Sequence, residues 1–447
     1  MTNIDPAEGA RVFDLDRSYV FHSWSAQKAL KPMCVAGAEG SYFWDYDGNK
    51  FLDFASQLVN VNIGHQHPKV IAAIQEQAGK LATIAPQHAN DKRGEAAQRI
   101  VELAGGKAAK VFFTNGGAEA VENAIRMARL HTHKHKILSA YRSYHGNTGS
   151  AIQATGDPRR WPNEYAAQQV HFFGPYLYRS EFWATTPEQE AERALTHLEH
   201  VIQLEGPGTI GAVLLETVVG TAGILVPPPG YLEGVRALCD KYEIVMILDE
   251  TMSGFGRTGK WFAYQNWNVE PDLVVFAKGS NSGYVPVGGV IISGKIAATF
   301  DEKVFPGGLT YSGHPLAAAS IVGSIDAMKE EKIIENAASI GENVLGPGLR
   351  ELAKKHPVIG EVRGLGVFWA LDLVTSRETR EPLAPYGGTS QAMTDLVTEC
   401  KNRGLMPFAN FNRMHVVPPC VVTEVEAREG LEILDQAFSA IGSYYQG

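Results

Sequence analysis

Four apolar runs in this sequence stop on groups that can do chemistry. Leu273-Val274-Val275-Phe276-Ala277 stops on Lys278, Ile244-Val245-Met246-Ile247-Leu248 on Asp249, and Gly211-Ala212-Val213-Leu214-Leu215 on Glu216. Lys110-Val111-Phe112-Phe113-Thr114 stops on Asn115-Gly116-Gly117. A lysine at the end of a buried strand is costly unless something uses its amine. Partial burial lowers a lysine pKa toward the neutral form, and a neutral amine can bond an aldehyde carbon as a Schiff base. An aldehyde cofactor held that way needs a carboxylate facing its ring nitrogen, amides for its anionic group, and a flat side chain against its ring. Asp249 supplies the carboxylate, one crossover upstream of Lys278. Gly116-Gly117-Ala118, at a strand-to-helix turn, supplies backbone N–H groups and the positive end of a helix dipole. Tyr144, in Ser143-Tyr144-His145-Gly146, supplies the ring, and Gly146 lets the chain approach closely.

These groups meet only if the runs that end on them lie side by side. Each run is continuously apolar, and helical patterns separate them. One such helix follows Gly117 with Ala120, Val121, Ala124, Ile125 and Ala128 on one face; another spans 231–242. Gly288-Gly289-Val290-Ile291-Ile292 reads as a further strand. The pattern predicts an α/β chain with a mostly parallel sheet covered on both faces, and ligands sit beyond the carboxyl ends of such strands. The chain ends differ. Residues 40–53 read as a hairpin turning at Asp47-Gly48-Asn49. From about Ala317 the order is helix, strand (367–373), helix (390–403), strand (414–417), helix. We therefore expect a large domain over 61–316 and a smaller α+β domain built from 1–60 and 317–447.

Composition removes several functions. The chain has 447 residues, 45% of them hydrophobic, and a formal net charge of -9 with dispersed acids. Nucleic-acid binding is not expected, because phosphate contacts need a basic face. The best candidate for a membrane span, 213–226, is interrupted by Glu216. The start, MTNIDPAEG, lacks the layout of a signal peptide. Cys34, Cys239, Cys400 and Cys420 are far apart with no CxxC spacing, as expected of reduced thiols in a cytoplasmic protein. Gly254 to Gly259 fits GxGxxG and Gly254 to Lys260 fits GxxxxGK, but no helical pattern follows directly, and Trp261 stands where Ser or Thr would bind magnesium. His131-Thr132-His133-Lys134-His135 follows a helix, where cations suit the dipole, so no metal site is expected there.

Pyridoxal phosphate is the commonest aldehyde that uses such a set of groups. The chain resembles the class III pyridoxal-phosphate-dependent aminotransferases, of fold type I, over nearly its whole length. The matching stretches are DFASQLVNVNIGHQHPKV, FFTNGGAEAVENAIRMAR, SYHGNTGS, LLETVVG, PPPGYLEGVRALCDKY, LDETMSGFGRTGKW, PDLVVFAKG and GGLTYSGHPLAAA. The resemblance implies a seven-stranded type of sheet. It implies Lys278 as the Schiff-base lysine and Asp249 as the partner of the pyridine nitrogen. Gly116, Gly117 and Ala118 would cradle the phosphate, Tyr144 would cover the ring, and Glu216 and Thr251 would complete the pocket. Thr310 would reach the phosphate of a neighbouring subunit, which implies a homodimer with shared sites. The sequence departs from the family in places. The phosphate loop, commonly N-S-G-S, is Asn115-Gly116-Gly117-Ala118 and lacks a hydroxyl. Thr251 and Ser280 stand where apolar residues are usual, and E-P-V-Q-G becomes Glu216-Thr217-Val218-Val219-Gly220.

The resemblance further implies transfer of an amino group from an amine or ω-amino acid, such as β-alanine or taurine, to a keto acid such as pyruvate. Lys278 would move the proton between substrate carbon and cofactor carbon. A decarboxylase or aminomutase of the same fold is the alternative. Many relatives place a carboxylate-binding arginine shortly before the late Pro-Pro stretch. Arg413 and His415 are nearest to that position here, and His415 stands where ornithine-type relatives carry arginine. Trp24 would form an apolar wall on the substrate side.

Overall fold

The computed structural model describes residues 4–163 and 168–447. Seven strands form the central sheet: β1 (Ala108–Thr114), β2 (Lys136–Ala140), β3 (Gln169–Phe172), β4 (Ile210–Glu216), β5 (Val245–Asp249), β6 (Leu273–Phe276) and β7 (Gly288–Ser293). Their spatial order is β1-β7-β6-β5-β4-β2-β3. Strands β3, β2, β4, β5 and β6 pair in parallel, whereas β7 runs antiparallel to both β6 and β1. The sheet is thus mixed, with one reversed strand. The eleven residues 277–287 that separate β6 from β7 fall short of the crossover of about a dozen or more that a parallel neighbour requires. Strands β4, β5 and β6 are buried along their whole length, which is why each is an unbroken apolar run.

Helix α1 (Gly117–Thr132) lays Ala120, Val121, Ala124, Ile125 and Ala128 against alternate residues of β4 to β7. Its first turn therefore sits over the carboxyl edge of the sheet. The hairpin of Tyr42–Asp45 and Lys50–Asp53 forms as expected, and its second strand pairs in parallel with Leu405–Met406. The two chain ends thus share one small sheet. A third, antiparallel sheet joins Ile359–Leu365, Phe368–Leu373, Arg413–Val416 and Phe408–Asn410. Among the described residues no helix is long and apolar enough to cross a membrane.

Candidate active site

Register brings the chemistry together. Glu216 pairs with Asp249, and Asp249 with Val275, so β4, β5 and β6 end on one edge. Lys278 follows just beyond β6 in a short turn, with φ +36°. With the turn before α1 and the loop 144–147 these ends enclose a cavity of about 360 Å³. Lys278, Asp249, Glu216, Tyr144 and Thr251 line it, as does the backbone from Gly116 to Ala118.

Asp249 is 4% exposed and fully engaged. His145 Nδ1–H donates to its Oδ2 at 2.9 Å, and the Thr251 N–H to its Oδ1 at 3.0 Å. His145 is the residue that sequence reasoning missed: it lies inside the Tyr144 motif, and a buried carboxylate needs such a donor. Its Nε2 is buried without a partner. Glu216 brackets the neighbouring loops. Its Oε1 accepts from the Tyr144 N–H and its Oε2 from the Gly220 N–H, both at 2.8 Å. Burial holds the Glu216 carboxyl above the usual range; His145 pulls against that shift and Asp249 adds to it.

The Tyr144 ring carries the Arg159 guanidinium 3.6 Å from its centroid, and Asp157 anchors that arginine through Nε at 3.0 and 3.1 Å. Gly146 has φ +128°, and a Cβ there would fall 2.6 Å from the Ala118 Cβ. A side chain at 146 would therefore push the Tyr144 loop off the helix start. A Cβ on Gly117 would lie 3.0 Å from Thr251 Cγ2.

Burial lowers the Lys278 pKa from its ordinary 10.5 to about 8, against the opposing pull of Asp249 and then Glu216. Among the described residues its Nζ has no hydrogen bond or ion pair. The Thr251 hydroxyl is buried beside Gly117 and is also unpartnered. A free amine, an oriented carboxylate, helix-start amides and an aromatic face share one cavity, and these groups fit pyridoxal phosphate.

The other expected residues lie elsewhere. Thr310 is exposed and does not line its own chain's cavity. Trp24 is 65% exposed and outside the cavity wall. Arg413 lines a second cavity instead. His415, expected at the substrate, is a packing residue. It is buried, its Nε2–H donates to the Gly220 carbonyl at 3.1 Å, and its ring stacks on Phe408 at 4.6 Å. Burial takes its pKa to about 3, so it is neutral and offers no charge to a substrate acid. The Gly254–Lys260 turn holds Arg257 fully buried, donating to the Val417 and Pro418 carbonyls. Among the described residues no group of three or more His, Cys, Asp or Glu is placed to hold a metal.

The aminotransferase class-III family model matches residues 24–438, and the chain belongs to that family. It is a pyridoxal-phosphate-dependent aminotransferase of fold type I, moving an amino group from an amine or amino acid to a keto acid. It is 32% identical to a taurine–pyruvate aminotransferase of Bilophila wadsworthia, over 97% of this chain and 98% of that protein. It is 34% identical to a putrescine–pyruvate aminotransferase of Pseudomonas aeruginosa, over 91% of each. Among solved structures, a taurine:2-oxoglutarate aminotransferase from Bifidobacterium kashiwanohense, in complex with PLP and glutamate, superposes with a TM-score of 0.95 at 40% identity. That match covers 98% of this chain and 99% of the other.

Proposed function

We propose that this chain transaminates ω-amino acids of the taurine and β-alanine type, with Lys278 as the catalytic amine. The observation that carries this is an uncommitted lysine, lowered to about pKa 8, in one cavity with Asp249 and the start of α1. When bound, the cofactor supplies an electron-withdrawing ring that acidifies the substrate carbon. Lys278 Nζ would hold the cofactor and would take and return the proton of the substrate carbon; a pKa of about 8 suits both directions. Asp249 would hold a proton on the ring nitrogen, and His145, donating to Oδ2, orients the carboxylate for that role. The amides of Gly116, Gly117 and Ala118 would hold the phosphate. Tyr144 would cover the ring; Arg159 lies over the tyrosine ring and Glu216 accepts from its backbone N–H. Thr251, which also lines the cavity, would pack on the ring.

The working unit in this proposal is a homodimer in the cytoplasm. Exposed Thr310 would reach the neighbouring subunit's phosphate, and Trp24 would form an apolar wall on the substrate side. The chain divides into 1–60 and 317–447 around a cofactor-binding 61–316. The relatives compared above offer taurine and putrescine as donors and pyruvate and 2-oxoglutarate as acceptors, which supports this range. The test is a donor and acceptor panel with purified, cofactor-loaded protein. Amino acid should form from the keto acid mole for mole with donor consumed, and Lys278→Ala should abolish multiple turnover. Carbon dioxide release, or isomerisation without an acceptor, would overturn it.

A further inference from the structure

Lys278 holds its place at a cost. Its φ of +36° lies in the left-handed region that residues with side chains avoid. Such backbone persists only where its surroundings over-determine it. Here the surroundings come from early in the chain, residues 53–67, which dock on the loop 277–287. Asn60 Nδ2–H donates to the Ser282 carbonyl at 3.3 Å, and the Ile63 N–H to Ser282 Oγ at 3.0 Å. Tyr284 Oη donates to the Gly64 carbonyl at 2.8 Å and accepts from the His67 N–H at 2.6 Å.

The docking segment is itself strained and pinned. Ser56, Gln57 and Val59 have φ of +43°, +60° and +57°, and for β-branched Val59 that is an outlier. Asp53, 0% exposed, holds them by accepting from the Ala55 and Gln57 N–H groups, from Gln57 Nε2 and from His65 Nε2. Ser56 Oγ donates to the Val417 carbonyl at 2.6 Å.

Asn62, 1% exposed, stands where this segment meets Lys278. Its Nδ2 donates to the Phe255 carbonyl at 2.7 Å and to the Gly254 carbonyl at 3.4 Å. Its own backbone carbonyl accepts from the Cys420 N–H at 2.7 Å. Gly279, next to Lys278, lies directly on the carboxamide: a Cβ there would overlap Asn62 Nδ2. Asn62 Oδ1 is buried without a donor. An unmet buried acceptor costs stability, so stability alone is a poor reason for this carboxamide. The glycine-rich turn that begins at Gly254 also gains a purpose, since its carbonyls grip the wedge.

We propose that Asn62 is a positioning residue for Lys278: wedged between the Gly254 and Phe255 carbonyls and Gly279, it seats the lysine turn so that Nζ stays inside the cavity. Without the wedge the turn relaxes toward ordinary backbone and carries the amine out of line. Misplacing a reacting group by about 1 Å costs on the order of 100-fold in rate. That rate consequence rests on reading Lys278 as the catalytic amine; the seating itself does not.

The test has two arms. In the cofactor-free protein, Lys278 is acetylated with dilute acetic anhydride across a pH range, and its peptide is read by mass spectrometry. The midpoint should lie at about 8 in the parent. In Asn62→Ala it should rise toward the ordinary 10.5, by about half a pH unit or more, because a loosened amine reaches water. In the cofactor-loaded protein, Asn62→Ala should lower kcat by about 10- to 100-fold and leave donor KM within about threefold of the parent. Gly279→Ala should reproduce both changes in the parent and add little in Asn62→Ala, where the space is open. Should Asn62→Ala fail to fold, Asn62→Ser, which keeps a donor for the Phe255 carbonyl, should show the same changes in smaller measure. If the midpoint moves but the parent does not transaminate, the functional reading fails and the seating stands. A parent-like midpoint in a folded Asn62 variant, or a Gly279→Ala effect as large in Asn62→Ala as in the parent, would overturn the proposal.

Discussion

Replacing Lys278 by methionine should stabilise the cofactor-free protein near neutral pH. Methionine keeps the length of the stem and removes the amine. In the fold the amine titrates at about 8, against an ordinary value of 10.5, because burial outweighs the attraction of Asp249 and Glu216. The unfolded chain therefore binds this proton more tightly than the folded one. The group destabilises the fold in full below about pH 8, and the penalty disappears as pH rises through 10.5. At about 1.4 kcal/mol per pH unit, that window corresponds to roughly 3 kcal/mol. The assay is urea unfolding of cofactor-free parent and Lys278→Met at one protein concentration, from about pH 7 to about pH 10.5. Lys278→Met should be more stable by about 2–3 kcal/mol at the lower pH, with the gap closing at the upper. A variant less stable than the parent at about pH 7, or a gap that ignores pH, would refute the placement of an unpaired, desolvated amine in this cavity.

Other perturbations have definite signs. Gly146→Ala places a Cβ 2.6 Å from that of Ala118 at a φ of +128°. It should cost about 1–3 kcal/mol and weaken cofactor affinity, read by thermal unfolding and by titration of the cofactor-free protein. Glu216→Ala leaves the Tyr144 and Gly220 N–H groups without acceptors and should cost about 2 kcal/mol or more, whereas Glu216→Gln keeps one carbonyl acceptor and should cost less. Thr251→Val removes a buried, unpartnered hydroxyl without changing shape and should leave the cofactor-free protein within about 1 kcal/mol of the parent or more stable, by urea unfolding.

The core of the sheet was legible because β4, β5 and β6 are buried on both faces, so each had to be an apolar run, and each run ended where the chemistry begins. The reversal of β7 was not legible, since Gly288-Gly289-Val290-Ile291-Ile292 packs equally well in either direction. Strands β2 and β3 escaped notice for a related reason. Both are short, β2 contains Ser139, and β3 alternates polar and apolar residues at the sheet edge. At the site, residue types named Lys278, Asp249 and Tyr144, but the bond from His145 to Asp249 joins loops far apart in the chain and leaves no local pattern. His415 misled because alignment to an arginine position says nothing of Gly220 and Phe408, which enclose it.

The most direct measurement is chemical. The cofactor-loaded protein is reduced with borohydride, digested, and searched by mass spectrometry for the peptide that retains the cofactor. The account predicts one labelled site, Lys278, with the label absent from Lys278→Ala. Label on any other lysine of the parent, or none, would contradict it.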